Sequence, residues 1–377
     1  MRRLLFCQQT RERRNGMPKT LAVFMLVLLI LIPVSVSAET DLRAIFDEGI
    51  SWAQSEKKTV KVLDRIKSAG FNTYIPCVWH GQGAIWPSET AELWYKNQPL
   101  AQKDPLKHFI KLAHDRHIKV MPCFTIMARQ HEFYEQFTTQ ARKNMFNVQD
   151  AEFRRFITRV VLEVVKNYDI DGINLDYVRA GQVCFEQSCR KSYKQFSGKD
   201  LMADLALHKL NQKARKRIVS WQRRAVRSLI YDISTKARKL KPDLKITVCA
   251  APWADSVEIE GQNSIGWAED RLIDTVFSMN YQREIPWKRL SKERAKLSKP
   301  ESLVIMVANY NQLTEKKKNG KRKIKPKTAE QLQAVVKKAI EFQGSGSYAV
   351  YLYSQLTDVQ IAGMRIFLDQ LASSGKN

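Results

Sequence analysis

Several signatures are missing from this chain, and each absence narrows its chemistry. No GxGxxG follows the first strand-like segment and no Walker A sequence occurs, so neither a dinucleotide nor a nucleotide phosphate is provided for, and no cofactor is expected. Cys184 and Cys189 lie five apart, but no second Cys or His pair accompanies them at ligand spacing, and no metal is expected. Acidic residues are scarce, 38 Asp and Glu against 63 Lys and Arg, which leaves a net charge of +25. Long apolar runs are also lacking. Leu21 to Ile32 is well short of the roughly 20 residues that a membrane span needs.

That short run has export features. Arg2, Arg3, Arg11, Arg13, Arg14 and Lys19 precede it, Pro33 breaks it, and Val36-Ser37-Ala38 offers small residues for cleavage. Residues 1–38 are therefore expected to be a signal peptide, with Met17 as an alternative start. Left uncleaved, the same run would attach the chain to a membrane. Residues 39–377 are expected to form the mature domain, exported to the periplasm or beyond.

Removing residues 1–38 takes away six basic and one acidic residue, so the positive excess belongs to the mature chain. It concentrates in Thr314–Lys327 and along Lys209–Lys241. Such a balance suits an anionic partner, and export argues against nucleic acid. A solvated basic surface with one disordered loop over Lys316–Lys327 explains the charge with fewer assumptions. In an oxidising compartment Cys184 and Cys189 could close a small disulfide, whereas Cys77, Cys123 and Cys249 fall inside expected strands as small buried hydrophobes.

From Asp41 onward the pattern alternates strand and helix. Strands are expected over Leu42–Phe46, Asn72–Trp79, Lys119–Thr125, the segment after Asp171, Lys245–Ala251, Thr275–Asn280, Leu303–Asn309 and Ser347–Tyr353. Helices are expected between them, and a polar insertion over Cys184–Asp204. Eight such units, with long insertions mostly after the strands, predict an α/β fold of the closed (β/α)8 type rather than an open doubly wound sheet.

The fourth unit carries the clearest chemical signal. In YDIDGINLDYVRAG, Tyr168 to Gly181, Ile173 and Leu175 alternate with Asn174 and Asp176. In a closed barrel the apolar pair faces the helices and the polar pair faces the axis, with Asp176 at the C-terminal rim where barrel enzymes hold their catalytic groups. Arg179 follows, either as the ionic partner that keeps Asp176 deprotonated or as a contact to an acidic sugar.

Asn147–Arg179 resembles the fourth unit of the bacterial glycosyl-hydrolase-like family ten barrels, and Ile246–Gln282 and Tyr348–Leu356 are similar to their later units. The similarity covers about Leu42 to Leu371. This chain departs from the family pattern with Asn174 in place of His and Ala180-Gly181 in place of an aromatic-proline pair. The resemblance implies a barrel that cleaves glycosidic bonds of a bacterial cell-wall or exopolysaccharide glycan. A chitinase-like mechanism would need an acid two residues after Asp176, and Val178 stands there.

Glycoside hydrolysis uses two carboxyl groups. Asp176 is expected as nucleophile or base. By analogy with related barrels the proton donor is expected after the fifth strand, at Asp255 or Glu258, with Glu260, Glu89, Asp47, Glu48 and Glu284 as other rim acids. Expected substrate contacts are Trp79, His80, Asn174, Arg179, Trp253, Asn280, Tyr281 and Tyr353, several of them aromatics whose faces suit sugar rings; Trp52 and Trp221 are read as structural. From a different class, a polysaccharide-binding barrel without turnover fits the same residues.

Overall fold

The computed structural model describes residues 41–374, apart from 95–99, 101, 131–132, 142, 254–259, 283, 317–319 and 321. The expected signal segment lies outside the described residues, as do Asp255 and Glu258. Among the described residues no helix is long and apolar enough to cross a membrane.

Eight parallel strands close into a ring: β1 Arg43–Asp47, β2 Thr73–Trp79, β3 in two pieces (Lys119–Val120 and Cys123–Thr125), β4 Gly172–Asp176, β5 Lys245–Ala250, β6 Thr275–Asn280, β7 Leu303–Ala308 and β8 Tyr348–Tyr351. The first strand closes the ring by pairing with both β2 and β8. The third strand is split at Pro122, which has no N–H to give to the ladder. Its carbonyl still accepts from the Asn174 N–H at 2.9 Å, so β4 stays in register.

Period-2 alternation sorts the strand residues into two layers. Ala44, Phe46, Ile75, Cys77, Cys123, Cys249, Phe277 and Met306 fill the barrel interior. Ile45, Tyr74, Val78, Ile173, Leu175, Val248, Val276 and Val350 face outward and pack under the helices.

Local signals explain the helix starts. Helix α1 is Ser51–Gln54 and α2 Glu56–Ser68. Helix α3, Pro105–His114, opens with proline at its first turn and Asp104 accepting from the Lys107 N–H. Helix α4, Ala151–Asn167, starts at Asp150, whose side chain accepts from Glu152 and Phe153, and buries Phe153, Phe156, Ile157, Val160, Val161, Val164 and Val165.

The polar insertion after β4 is folded. It contains α5 Gln187–Ser197 and α6 Leu201–Leu207 before the long α7, Gln212–Leu240. Cys184, Cys189, Tyr193, Leu201, Ile218 and Trp221 give it a small core of its own. The Cys184–Cys189 disulfide is formed, with the Cα atoms 6.1 Å apart. Among the described residues the outer layer continues with α8 Ser264–Glu269, α9 Trp287–Arg294, α10 Ala329–Gln343 and α11 Asp358–Ser374.

The basic run after β7 departs from the expected disordered loop. Tyr310–Lys316 and Arg322–Pro326 pair as an antiparallel hairpin, with Lys323 bonded to Glu315 at 2.7 Å. Tyr310–Thr314, reading YNQLT, carries no apolar–polar alternation, so the sequence gives no strand signal here.

Candidate functional site

Asp176 is the last residue of β4, pointing into the mouth of the barrel above Asn174. The backbone turns sharply behind it: Tyr177 has φ of 54°, and its N–H donates to Asp176 Oδ1 at 2.6 Å. Burial raises the Asp176 carboxyl from 3.8 to about 6, against the opposing effects of the Tyr177 hydrogen bond and the Arg179 charge, with the Glu48 charge pushing it further up. Arg179 acts in the expected direction, favouring the charged form, but burial outweighs the guanidinium. Arg179 is engaged elsewhere. It lies over the Tyr177 ring at 4.3 Å and its Nε is 3.9 Å from Glu260 Oε2.

Glu48 follows β1 directly and continues the inward parity of Ala44 and Phe46. It accepts the Tyr351 hydroxyl. Its charge acts on Asp176, His80, Tyr310 and Tyr351, which places these groups around one mouth. Burial holds the His80 imidazole below its usual value, with Glu48 opposing. Tyr310 is pushed up to about 12 by burial and then by Glu48. Tyr281 stacks on Tyr351 with centroids 4.5 Å apart, and Tyr310 meets the same ring at 6.2 Å. The site is a tyrosine-walled mouth holding two carboxyl groups and a neutral-leaning histidine.

His80 reaches this mouth through an irregularity. The β2–β3 register shifts between Cys77 and Trp79, so Trp79 falls on the outer layer and His80 turns inward, with Nδ1 3.5 Å from Cys77 Sγ. Trp79 is consequently fully buried against Tyr134 and Phe156 and offers no face to a sugar.

The other expected contacts are spread between the floor of the mouth and the outer layer. Asn174 forms part of its floor, donating to Cys123 Sγ and Cys249 Sγ at 3.2 and 3.3 Å and accepting from Thr247 Oγ1 at 2.9 Å. Asn280 is buried on the outer side of β6, donating to the Ser278 carbonyl at 2.7 Å. Tyr353 packs on Tyr74 behind β1 at 6.2 Å. Trp253 is half-buried under the Arg289 guanidinium, 4.8 Å from the ring. Trp52 and Trp221 are buried, as read.

Among the alternative acids, Asp47 turns outward and accepts from Tyr74 Oη at 2.6 Å and the Gly49 N–H at 2.7 Å. Glu260 braces the loop after β4 through the Ala180 and Gly181 N–H groups. Among the described rim acids Glu48 is the one whose charge acts on Asp176. Tyr351 was not singled out, although the inward parity of Ala349 two residues earlier marks it.

One cluster of metal-type donors occurs among the described residues, at Cys184, Glu186 and Cys189. Both sulfurs are consumed by the disulfide, and Glu186 accepts from Thr139 Oγ1 at 2.7 Å and the Gln140 and Phe185 N–H groups at 2.5 and 3.0 Å. These residues fit a loop brace, not a metal.

Closed parallel strands with a carboxyl at the C-terminal rim define a (β/α)8 barrel with its candidate site where barrel enzymes hold their chemistry. Residues 42–324 match the glycosyl hydrolase-like 10 family, and the chain belongs to it. Glycosyl hydrolase YngK of Bacillus subtilis (strain 168) is 24% identical over 258 residues, 58% of this chain and 47% of that protein. The chain thus spans just under half the length of that relative. The PgaB (BpsB) glycoside hydrolase domain from Bordetella bronchiseptica superposes with a TM-score of 0.64 at 11% identity, over 86% of this chain and 98% of that one. Alpha-L-fucosidase isoenzyme 2 from Paenibacillus thiaminolyticus gives 0.62 at 14% identity, over 89% and 50%. These two likenesses establish the fold.

Proposed function

We propose that this protein is an exported glycosidase that cleaves a glycan of the bacterial cell wall or an exopolysaccharide. The observation that carries the reading is the Asp176 carboxyl, raised to about 6 at the rim of a glycoside-hydrolase-like barrel. A group that titrates there can hold a proton near neutral pH, give it to the departing glycosidic oxygen, and take one back from water. This assigns Asp176 as the acid, in place of the nucleophile or base expected from the sequence.

Glu48 is the second carboxyl in this reading, since it lies near enough to act on Asp176. A two-carboxyl mechanism needs one such group for the sugar's anomeric carbon or for a water. Asp255 and Glu258, after β5, are the rival partners. Tyr281, Tyr310 and Tyr351 wall the mouth and supply apolar surface for a sugar ring, while His80 is placed to hydrogen-bond a hydroxyl. Export is supported by the signal-like N-terminus and by a disulfide of the kind that oxidising compartments preserve.

The deciding experiment is release of reducing ends from purified cell-wall and exopolysaccharide preparations by wild type, Asp176→Asn, Glu48→Gln, Asp255→Asn and Glu258→Gln. The proposal expects the first two substitutions to abolish release. Loss with Asp255→Asn or Glu258→Gln and retention with Glu48→Gln would move the partner to β5. Glycan binding without release by wild type would replace the enzyme with the binding barrel.

A further inference from the structure

The insertion after β4 leaves one apolar face uncovered. Helix α6 and the turn behind it expose Met202 (43%), Leu207 (47%) and Leu210 (90%), together with Ala203 and Ala206. Positions 202, 203, 206, 207 and 210 recur at three- and four-residue spacing, so they share one side, while Leu201 and Asp204 occupy the opposite, buried side. The inner side is already satisfied by the small core around Tyr193 and Trp221. Exposed apolar residues gathered like this, on a segment that has a core of its own, mark a contact surface.

The charge around the face identifies its occupant. Lys199 and Lys209 adjoin it along the chain, Lys213 follows at the start of α7, and all three are exposed. From Leu205 to Tyr231 the chain has eight Lys or Arg and no Asp or Glu. Asp204 turns inward, where Arg217 holds it at 2.5 and 2.7 Å and Tyr193 donates to it. Asp200 caps α6 and lies 3.8 Å from Arg190. A second copy would bring the same cations against these, in a chain whose net charge is already +25.

We propose that this face docks on an anionic lipid surface, with Met202, Leu207 and Leu210 entering the headgroup boundary and the lysines meeting lipid phosphates. The face is independent of the N-terminal apolar run and of hydrolysis. Because the insertion leaves β4 only a few residues after Asp176, docking would keep the barrel mouth beside the envelope.

The test is co-sedimentation of residues 39–377, which contain every strand and helix of the closed barrel, with phosphatidylglycerol/phosphatidylcholine vesicles or phosphatidylcholine alone. The expected result is at least about tenfold stronger partitioning onto the anionic vesicles, lost in 0.5 M NaCl. The triple variant Met202→Ser, Leu207→Ser, Leu210→Ser and the charge variant Lys209→Glu, Lys213→Glu should each lower it by about tenfold. Leu210→Ser, at the most exposed position, replaces the triple variant if that one unfolds, and about a threefold loss is then expected. Equal binding to both vesicles, no binding at low salt, or unchanged binding by the variants would overturn the proposal. So would a micromolar dimer in analytical ultracentrifugation that the leucine substitutions abolish, since the occupant would then be a second copy.

Discussion

Glu48, one residue beyond the first strand, acts electrostatically on Asp176 at the end of the fourth, so two strands separated by β2 and β3 contribute carboxyl groups to one mouth. The two acids differ in environment. Asp176 is partly buried at the strand end, whereas Glu48 is exposed and accepts the Tyr351 hydroxyl. Pairs of carboxyls in unequal surroundings are how one site holds an acid and an anion together.

The raised Asp176 carboxyl has a stability consequence with a definite sign. Its folded value of about 6 exceeds its ordinary 3.8, so the fold binds the proton more tightly than the unfolded chain does. The associated stability is full below pH 3.8 and is lost as pH rises through about 6. Asp176→Asn is therefore expected to raise the unfolding free energy at pH 8 by at most about 3 kcal/mol, with little gain at pH 4. Denaturant titrations at the two pH values measure it.

Glu48→Gln removes a negative neighbour of Asp176. The Asp176 carboxyl should titrate lower, which carboxyl-carbon NMR of the inactive variant reads directly. Tyr351→Phe deletes the hydroxyl that Glu48 accepts and should lower kcat more than it raises KM. Steady-state rates of the Tyr351→Phe variant separate kcat from KM.

Trp79→Ala should cost about 3–5 kcal/mol of stability, as a cavity in the packed layer does. A sugar-stacking tryptophan would instead lose glycan affinity with little change in stability. Chemical denaturation of the variant, alongside glycan titration, distinguishes the two roles.

The Cys184–Cys189 link closes a short loop, and replacing both residues by serine should cost about 2 kcal/mol by the chain-entropy relation. The loss should fall mainly on the insertion, because α5 and α6 rest on a core of few residues. Limited trypsin digestion should show earlier cleavage between Arg190 and Lys216.

The barrel was legible in the sequence because its strands obey period-2 alternation and its helices carry caps, proline starts and apolar stripes. Helix Pro105–His114 and strand Thr275–Asn280 occur as expected. Asp176 was legible for the same reason, as the polar partner of Ile173 and Leu175. Side-chain direction was lost where that alternation breaks. The register shift after Cys77 sends Trp79 outward and His80 inward, and no residue pattern announces it. Tyr353 stands beyond the end of β8, where strand parity ceases to apply, while Tyr351 takes the inward place. The hairpin after β7 was hidden because its lysine density reads as disorder and YNQLT has no apolar–polar alternation to announce a strand. Electrostatic coupling between Glu48 and Asp176 depends on ring closure across 128 residues, which local spacing does not encode.

The most direct measurement is reducing-end release from cell-envelope glycan by wild type and Asp176→Asn, with binding of the same glycan followed in parallel. The account predicts release by wild type, a loss of about 10²–10⁴-fold or more in the variant, and binding within a few-fold of wild type. Wild-type binding without release, or release by Asp176→Asn at the wild-type rate, would contradict it.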